Sequence, residues 1–259
     1  MRFLAALSFL TSIPLPRRFS VKTGEAGRST AYFPLVGAII GLILAGLNWI
    51  SSLFLPPALV NGLLIAFLVL ITGALHLDGF ADTCDGIAGH KTTEDRWQVM
   101  HDSRSGAFGI IGIFLLLLIK YVSLNCVPPT LLMATLVLMP VVSRWVMVYA
   151  IFAYPYARPE GLGKVFKQGA NWQSFVIATI LTLAVITGLS CLTNARYFYL
   201  TALAITFITW VIALPIAAYL KRKFAGLTGD TYGAINEVAE VCVLIIVYLL
   251  AHNQWLWLA

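Results

Sequence analysis

The chain reads as an all-α protein: a polytopic membrane helix bundle of about seven transmembrane helices, with a short N-terminal interfacial or re-entrant helix. Three observations predict this. Of its 259 residues, 60% are hydrophobic and only 11% charged, against roughly 45–50% and about 25% in a soluble domain, so most of the surface must face lipid. Apolar runs recur at the roughly 20-residue length that carries a helix across a hydrocarbon layer about 30 Å thick. The connections between them alternate short and long, and the charges sort onto the long ones.

Taken in order, the first 13 residues resemble a signal peptide, with Arg2 followed by Phe3-Leu4-Ala5-Ala6-Leu7-Ser8-Phe9-Leu10. No small-residue cleavage site follows, and Pro14-Leu15-Pro16-Arg17-Arg18 comes next, so a short helix at the membrane surface is the better reading. Spans are expected at about 31–55, 59–75, 108–125, 131–153, 174–192, 199–220 and 234–257. In the first span, Gly37-x-x-x-Gly41 is a small-residue face, suited to close helix packing within the chain in preference to pairing of two copies. Assembly into homo-oligomers is compatible with the sequence and not required by it. No repeat and no soluble domain interrupts the pattern, so residues 1–259 form a single membrane unit.

Fourteen of the seventeen Lys and Arg fall on the long connections, residues 1–30, 76–107, 154–173 and 221–233, and one, Arg196, on a short one. The positive-inside bias therefore places the long connections in the cytoplasm and the C-terminus outside. The +6 net charge is accounted for in this way, and without an Arg/aromatic RNA motif no nucleic-acid partner is expected. Cys84, Cys126, Cys191 and Cys242 are widely scattered, with no C-x-x-C pair, which argues against a disulfide scaffold or a zinc site. Within the spans, Lys120 is expected to snorkel to the surface. Arg144 lies at depth and must find a partner, an acid or a bound phosphate.

The acids cluster on the cytoplasmic side. His76-Leu77-Asp78-Gly79-Phe80-Ala81-Asp82-Thr83-Cys84-Asp85-Gly86 closes the second span and puts Asp78, Asp82 and Asp85 at i, i+4 and i+7, one face of a continuing helix. Like charges at that spacing repel. A cation should sit among them, and oxygen-only ligands favour Mg²⁺, Mn²⁺ or Ca²⁺. A second set, Met100-His101-Asp102-Ser103-Arg104-Ser105-Gly106, precedes the third span. Its Asp102 returns to the same face, Arg104 suits a phosphate, and Gly106 and Gly109 let a ligand approach the backbone. The third set, Asp230, Glu237 and Glu240, opens the last span; Glu240, about one turn below the surface, should face the bundle interior. His76 and His101 adjoin these acids and could move a proton or bind phosphate. Carboxylates, a divalent cation and arginines at a membrane surface suit group transfer on a diphosphate.

These segments, with Phe9-Leu10-Thr11-Ser12-Ile13-Pro14-Leu15-Pro16, Tyr32-Phe33-Pro34-Leu35-Val36-Gly37 and Gly229-Asp230 through Glu240, resemble the cobalamin synthase family, the adenosylcobinamide-GDP ribazoletransferases. The resemblance spans nearly the whole chain. It implies a Mg²⁺-dependent enzyme of the bacterial inner membrane, acting late in vitamin B12 synthesis from its cytoplasmic side. Such an enzyme joins adenosylcobinamide-GDP to α-ribazole or its 5′-phosphate and releases GMP. On this basis Asp78, Asp82 and Asp102 bind the metal, with Asp85 a fourth ligand or the base. Arg104, Arg17 and Arg18 hold phosphates, while Asp230, Glu237 and Glu240 bind a second metal or orient the ribazole. A CDP-alcohol phosphotransferase motif is matched in part, without its Ala-Arg element. The competing readings are a membrane prenyltransferase, which would show two Asp-rich repeats, and an ion-coupled transporter, which would carry acids near the midplane.

Overall fold

A computed structural model describes residues 1–14, 23–88, 92–102, 106–192 and 198–253. It is built of helices, and among the described residues the only β pairing is one parallel bridge between Tyr156 and Leu227. Among the described residues, six helices are long and apolar enough to cross a membrane by themselves. They are α3 (Phe33–Ser51, prolonged N-terminally by α2, Thr23–Ser29, and a 3₁₀ turn), α7 (Ala107–Cys126), α8 (Pro129–Ala153), α10 (Trp172–Leu192), α11 (Phe198–Phe224) and α12 (Gly229–His252). Between α3 and α7 lie α4 (Pro57–Ile71), α5 (Leu75–Ile87) and α6 (Thr93–His101). The short α1 (Arg2–Leu10) opens the chain, and α9 (Leu162–Gly169) follows α8.

The second span differs from expectation. The 15 residues of α4 rise only about 22 Å, and the acid run does not prolong it: α5 leaves at 88° to α4. The chain turns at Gly73, whose φ of 59° is left-handed, the backbone geometry that stops helices and satisfies their last carbonyls. The Ala74 N–H donates to the Val69 carbonyl at 2.9 Å. Ser12 completes the stop from outside: its N–H donates to the Ile71 carbonyl at 2.7 Å and its hydroxyl to the Leu70 carbonyl at 3.0 Å. The N-terminal segment thus holds the end of α4 while the acid helix turns away. α1 itself packs into the bundle, with Ala6 and Leu10 fully buried.

At the centre stands α8, 78% of whose most apolar stretch is buried inside the protein, whereas α7 and α10 bury 28% of theirs and present the remainder to lipid. Around α8 pack α3, α10, α11 and α12. The approach of α3 depends on its glycines: a Cβ at Gly41 would lie 2.7 Å from the Leu136 carbonyl oxygen, and one at Gly37 would overlap the Pro140 carbonyl. The small-residue face is therefore used within the chain. At the end carrying the long connections, α1, α5, α6, α9 and the start of α12 converge.

Candidate active site

The site is created by the crossing of α5 and α12. Their backbones meet where Gly79 faces Asp230 and Gly233 faces His76: a Cβ on Gly79 would lie 2.8 Å from Asp230 Cα, and one on Gly233 3.0 Å from the His76 carbonyl oxygen. Any side chain there would force the helices apart. A capping box sets the start of α12, with the Thr231 N–H donating to the Thr228 hydroxyl at 3.2 Å and the Thr228 N–H to the Thr231 hydroxyl at 2.7 Å. Asp230 stands in that first turn, directly across from the acid face of α5. The segment after α8 is stitched to the same place. Ala157 N–H donates to the Leu227 carbonyl and Leu227 N–H to the Pro155 carbonyl, at 2.8 and 2.9 Å, which brings Arg158 Nη1 to 3.2 Å from Asp230 Oδ2. Arg158 Nε and Nη2 have no protein partner among the described residues.

Asp82, half-buried on α5 beside these groups, shows the electrostatic strain. Burial, then the negative charges of Asp230 and Asp78, push its carboxyl up to about 7 from an ordinary 3.8, against an opposing pull from Arg158. Like carboxylates crowded in this way disfavour ionisation unless a cation joins them. Among the described residues, however, no three His, Cys, Asp or Glu side chains converge closely enough to enclose a metal alone.

Beneath this rim lies a cavity of about 270 Å³. Asp78 and His101 are exposed at its edge, Asp230 and Arg158 are half-buried, and Phe33, Met147, Ile151, Phe166, His76 and Tyr232 form a buried inner surface. Phe9, Phe33 and Phe166 make an aromatic wall, with ring centroids 4.2 to 6.0 Å apart. Phe166 is held in place because Lys167, next to it on α9, donates to the Ile151 and Phe152 carbonyls at the end of α8, at 2.9 and 2.7 Å.

Of the residues singled out from sequence, the structure brings Asp78, His76, His101 and Asp230 to the cavity, with Asp82 electrostatically coupled to Asp78 and Asp230. Asp85 faces the other way. Its two oxygens accept the Gly106 and Gly109 N–H groups, both at 2.8 Å, answering the free donors at the start of α7. The space over Gly106 and Gly109 is filled by that carboxylate, which a Cβ at either glycine would overlap, and not left open to a substrate. Asp102 caps the end of α6, exposed and outside the cavity lining. Burial, followed by the Arg144 guanidinium, pushes His76 down to about 3, which disfavours its protonated form.

Glu237 and Glu240 are not in the cavity lining. Lys120 Nζ lies 2.7 Å from an oxygen of each, and Arg144 Nη1 pairs with Glu240. All four are buried, forming a charge-neutral strut among α7, α8 and α12. Lys120 does not snorkel, because two carboxylates are nearer than the surface. Arg144 has the acid partner its depth required. Arg17, Arg18 and Arg104 lie outside the described residues.

Sequence reasoning passed over Arg158, Tyr232 and the three phenylalanines. Arg158 had a readable signal, the Arg-Pro-Glu-Gly-Leu-Gly run in a long connection, with Gly161 at a φ of 123°. The phenylalanines come from segments 24 and 133 residues apart and carry no local pattern.

A helical bundle crossing the membrane several times, with an acid- and arginine-rimmed cavity at one end, defines a multi-pass membrane transferase. Residues 2–248 match the family model described as cobalamin-5-phosphate synthase, and the chain belongs to that family. It is 38% identical to the adenosylcobinamide-GDP ribazoletransferase of Geotalea daltonii, covering 93% of this chain and 94% of that one. It is 35% identical to the protein of the same name from Shewanella frigidimarina, over 95% and 93%. With the one from Thermoanaerobacter pseudethanolicus it shares 31%, over 94% and 95%. No solved structure matches. Family membership sets aside the prenyltransferase and transporter readings.

Proposed function

We propose that this chain transfers the adenosylcobinamide-phosphate group of adenosylcobinamide-GDP to α-ribazole or its 5′-phosphate, releasing GMP, at the cytoplasmic face of the bacterial inner membrane. The observation that carries the chemistry is the rim, where Asp78, Asp230 and Arg158 line one cavity and the charges of Asp78 and Asp230 bear on Asp82. The donor set is all oxygen, which suits Mg²⁺. That ion is commonly held by one or two carboxylates and completed by phosphate oxygens, so a rim without a closed three-ligand cage fits it. Asp78 and Asp230 would hold the ion, which would supply charge neutralisation on the diphosphate.

The chain's own groups supply the rest. Arg158, anchored on Asp230 through Nη1, offers Nε and Nη2 to phosphate oxygens. Asp82, poised near neutrality, accepts the proton of the acceptor hydroxyl as that oxygen bonds to the cobinamide-bearing phosphorus. The bond from this phosphorus to the GMP oxygen breaks. The fourteen Lys and Arg on the long connections support the cytoplasmic placement.

Purified protein with Mg²⁺, adenosylcobinamide-GDP and each ribazole form in turn should release GMP and form the joined corrinoid. GMP release that does not depend on any ribazole, or no release with either form, would overturn the reading.

A further inference from the structure

We propose that the buried inner half of the cavity is the seat of the acceptor's flat aromatic base, with Phe9, Phe33 and Phe166 as its apolar wall and Tyr232 and His76 as its polar contacts. This rests on the function proposed above and assigns a place within it.

Size is the first argument. At about 270 Å³ the cavity lies just below the roughly 300–1,000 Å³ of small-molecule pockets. It admits one nucleoside-sized group and excludes a corrin macrocycle, which must stay outside the rim. The second argument is unspent polarity. The Tyr232 hydroxyl and both His76 nitrogens are buried with no hydrogen-bond partner among the described residues, although both side chains line the cavity and are only 3% exposed. Buried polar atoms in a finished core are almost always partnered. Two unpartnered side chains facing one apolar cavity are groups awaiting a ligand that is mostly apolar and carries a ring heteroatom.

Guanine, the other base in the reaction, fits less well. Its N1–H and 2-amino group call for a carboxylate, and the carboxylates lining the cavity, Asp78 and Asp230, stand at the rim. A base seated against the phenylalanines would direct its attached sugar outward, toward Asp230 and Arg158, where the hydroxyl has to react.

The test uses full-length protein in detergent. Titration calorimetry with α-ribazole alone, without donor or Mg²⁺, should show binding to the wild type. Phe166→Ala should raise KM for α-ribazole by about tenfold or more, while kcat and KM for adenosylcobinamide-GDP stay within about twofold. Tyr232→Phe, which keeps the ring and its packing, should raise the same KM by about fivefold and serves if Phe166→Ala fails to fold. A rise confined to the donor KM would assign the cavity to guanine and overturn the proposal, as would unchanged constants in both variants. Failure of the wild type to turn over any ribazole would instead remove the underlying function, while calorimetric binding of α-ribazole would still report on the seat.

Discussion

Two sets of charges in this molecule share a helix and little else. At the start of α12, Asp230 belongs to a rim with three acids and one arginine, half open to water. Two turns further in, Glu237 and Glu240 belong to a strut with Lys120 and Arg144, two acids against two bases, closed to water. The rim carries an excess of like charge and strains one of its own carboxyls; the strut is balanced. Balanced buried charge holds helices together, while unbalanced charge beside a cavity waits for something that comes and goes. Charge arithmetic within contact distance separates the two roles, and spacing along the sequence does not.

The largest effect should fall on the rim. Asp82→Asn keeps size and packing but removes the carboxylate, and GMP release should fall on the order of 10²–10³-fold, with the thermal unfolding of the detergent-solubilised protein unchanged or raised. Activity within a few-fold of wild type would show that Asp82 is merely a solvated helix residue.

The strut should respond in the opposite sense. Glu240→Ala leaves Arg144 without its acid and Lys120 with only one, and breaking such a buried pair costs about 3–5 kcal/mol. Poor folding is expected, and activity lost only in proportion to folded protein. Glu240→Leu with Arg144→Leu leaves the Lys120–Glu237 pair intact and should recover most of the stability. Were the double variant as unstable as the single one, or stable but inactive, the strut would be more than a structural pair.

These contrasts explain what was legible beforehand. Spans can be read because lipid imposes apolar runs of fixed length, and six helices appeared where hydropathy placed them. Asp78 and Asp82 were legible as a stripe, because one helical face is a local property. The turn before that stripe was not, since it depends on Gly73 in a left-handed conformation and on Ser12 reaching Leu70 from 58 residues away. Asp85 belongs to the same stripe by spacing and is diverted by two N–H groups of α7. Depth marked Glu240 as facing the interior and Arg144 as needing an acid, but the pairing of Glu237 and Glu240 with Lys120 and Arg144, about a hundred residues away, carries no local pattern.

A subtler test uses pH. Asp82 has its carboxyl raised from 3.8 to about 7 in the folded protein. Between those values the folded state holds a proton that the unfolded chain has released, so stability falls as pH rises through that window. Without divalent cation, the unfolding temperature should decline from about pH 4 to about pH 7. Mg²⁺ should restore it, and more at the upper end, where the carboxylates are free to bind. Asp82→Asn should flatten the slope. A steeper stabilisation by Mg²⁺ at low pH than at high pH would contradict the rim as the cation's seat.

The smallest effect concerns the hinge that presents the rim. Ser12→Ala removes the hydroxyl contacts to the Leu70 and Ile71 carbonyls, at 3.0 and 3.2 Å, but leaves the backbone N–H bond to Ile71. Because the shorter of these contacts is exposed, water can replace it, and the cost should sit near the low end of the usual range, about 0.5 kcal/mol. If α5 is held at its angle chiefly by the Gly79–Asp230 and Gly233–His76 crossing, turnover in Ser12→Ala stays within about twofold of wild type. A loss of turnover without loss of stability would shift control of the rim from the crossing to the N-terminal segment. Among the described residues, the hydrogen bonds from the N-terminal segment to the end of α4 all come from Ser12, which is where such control would act.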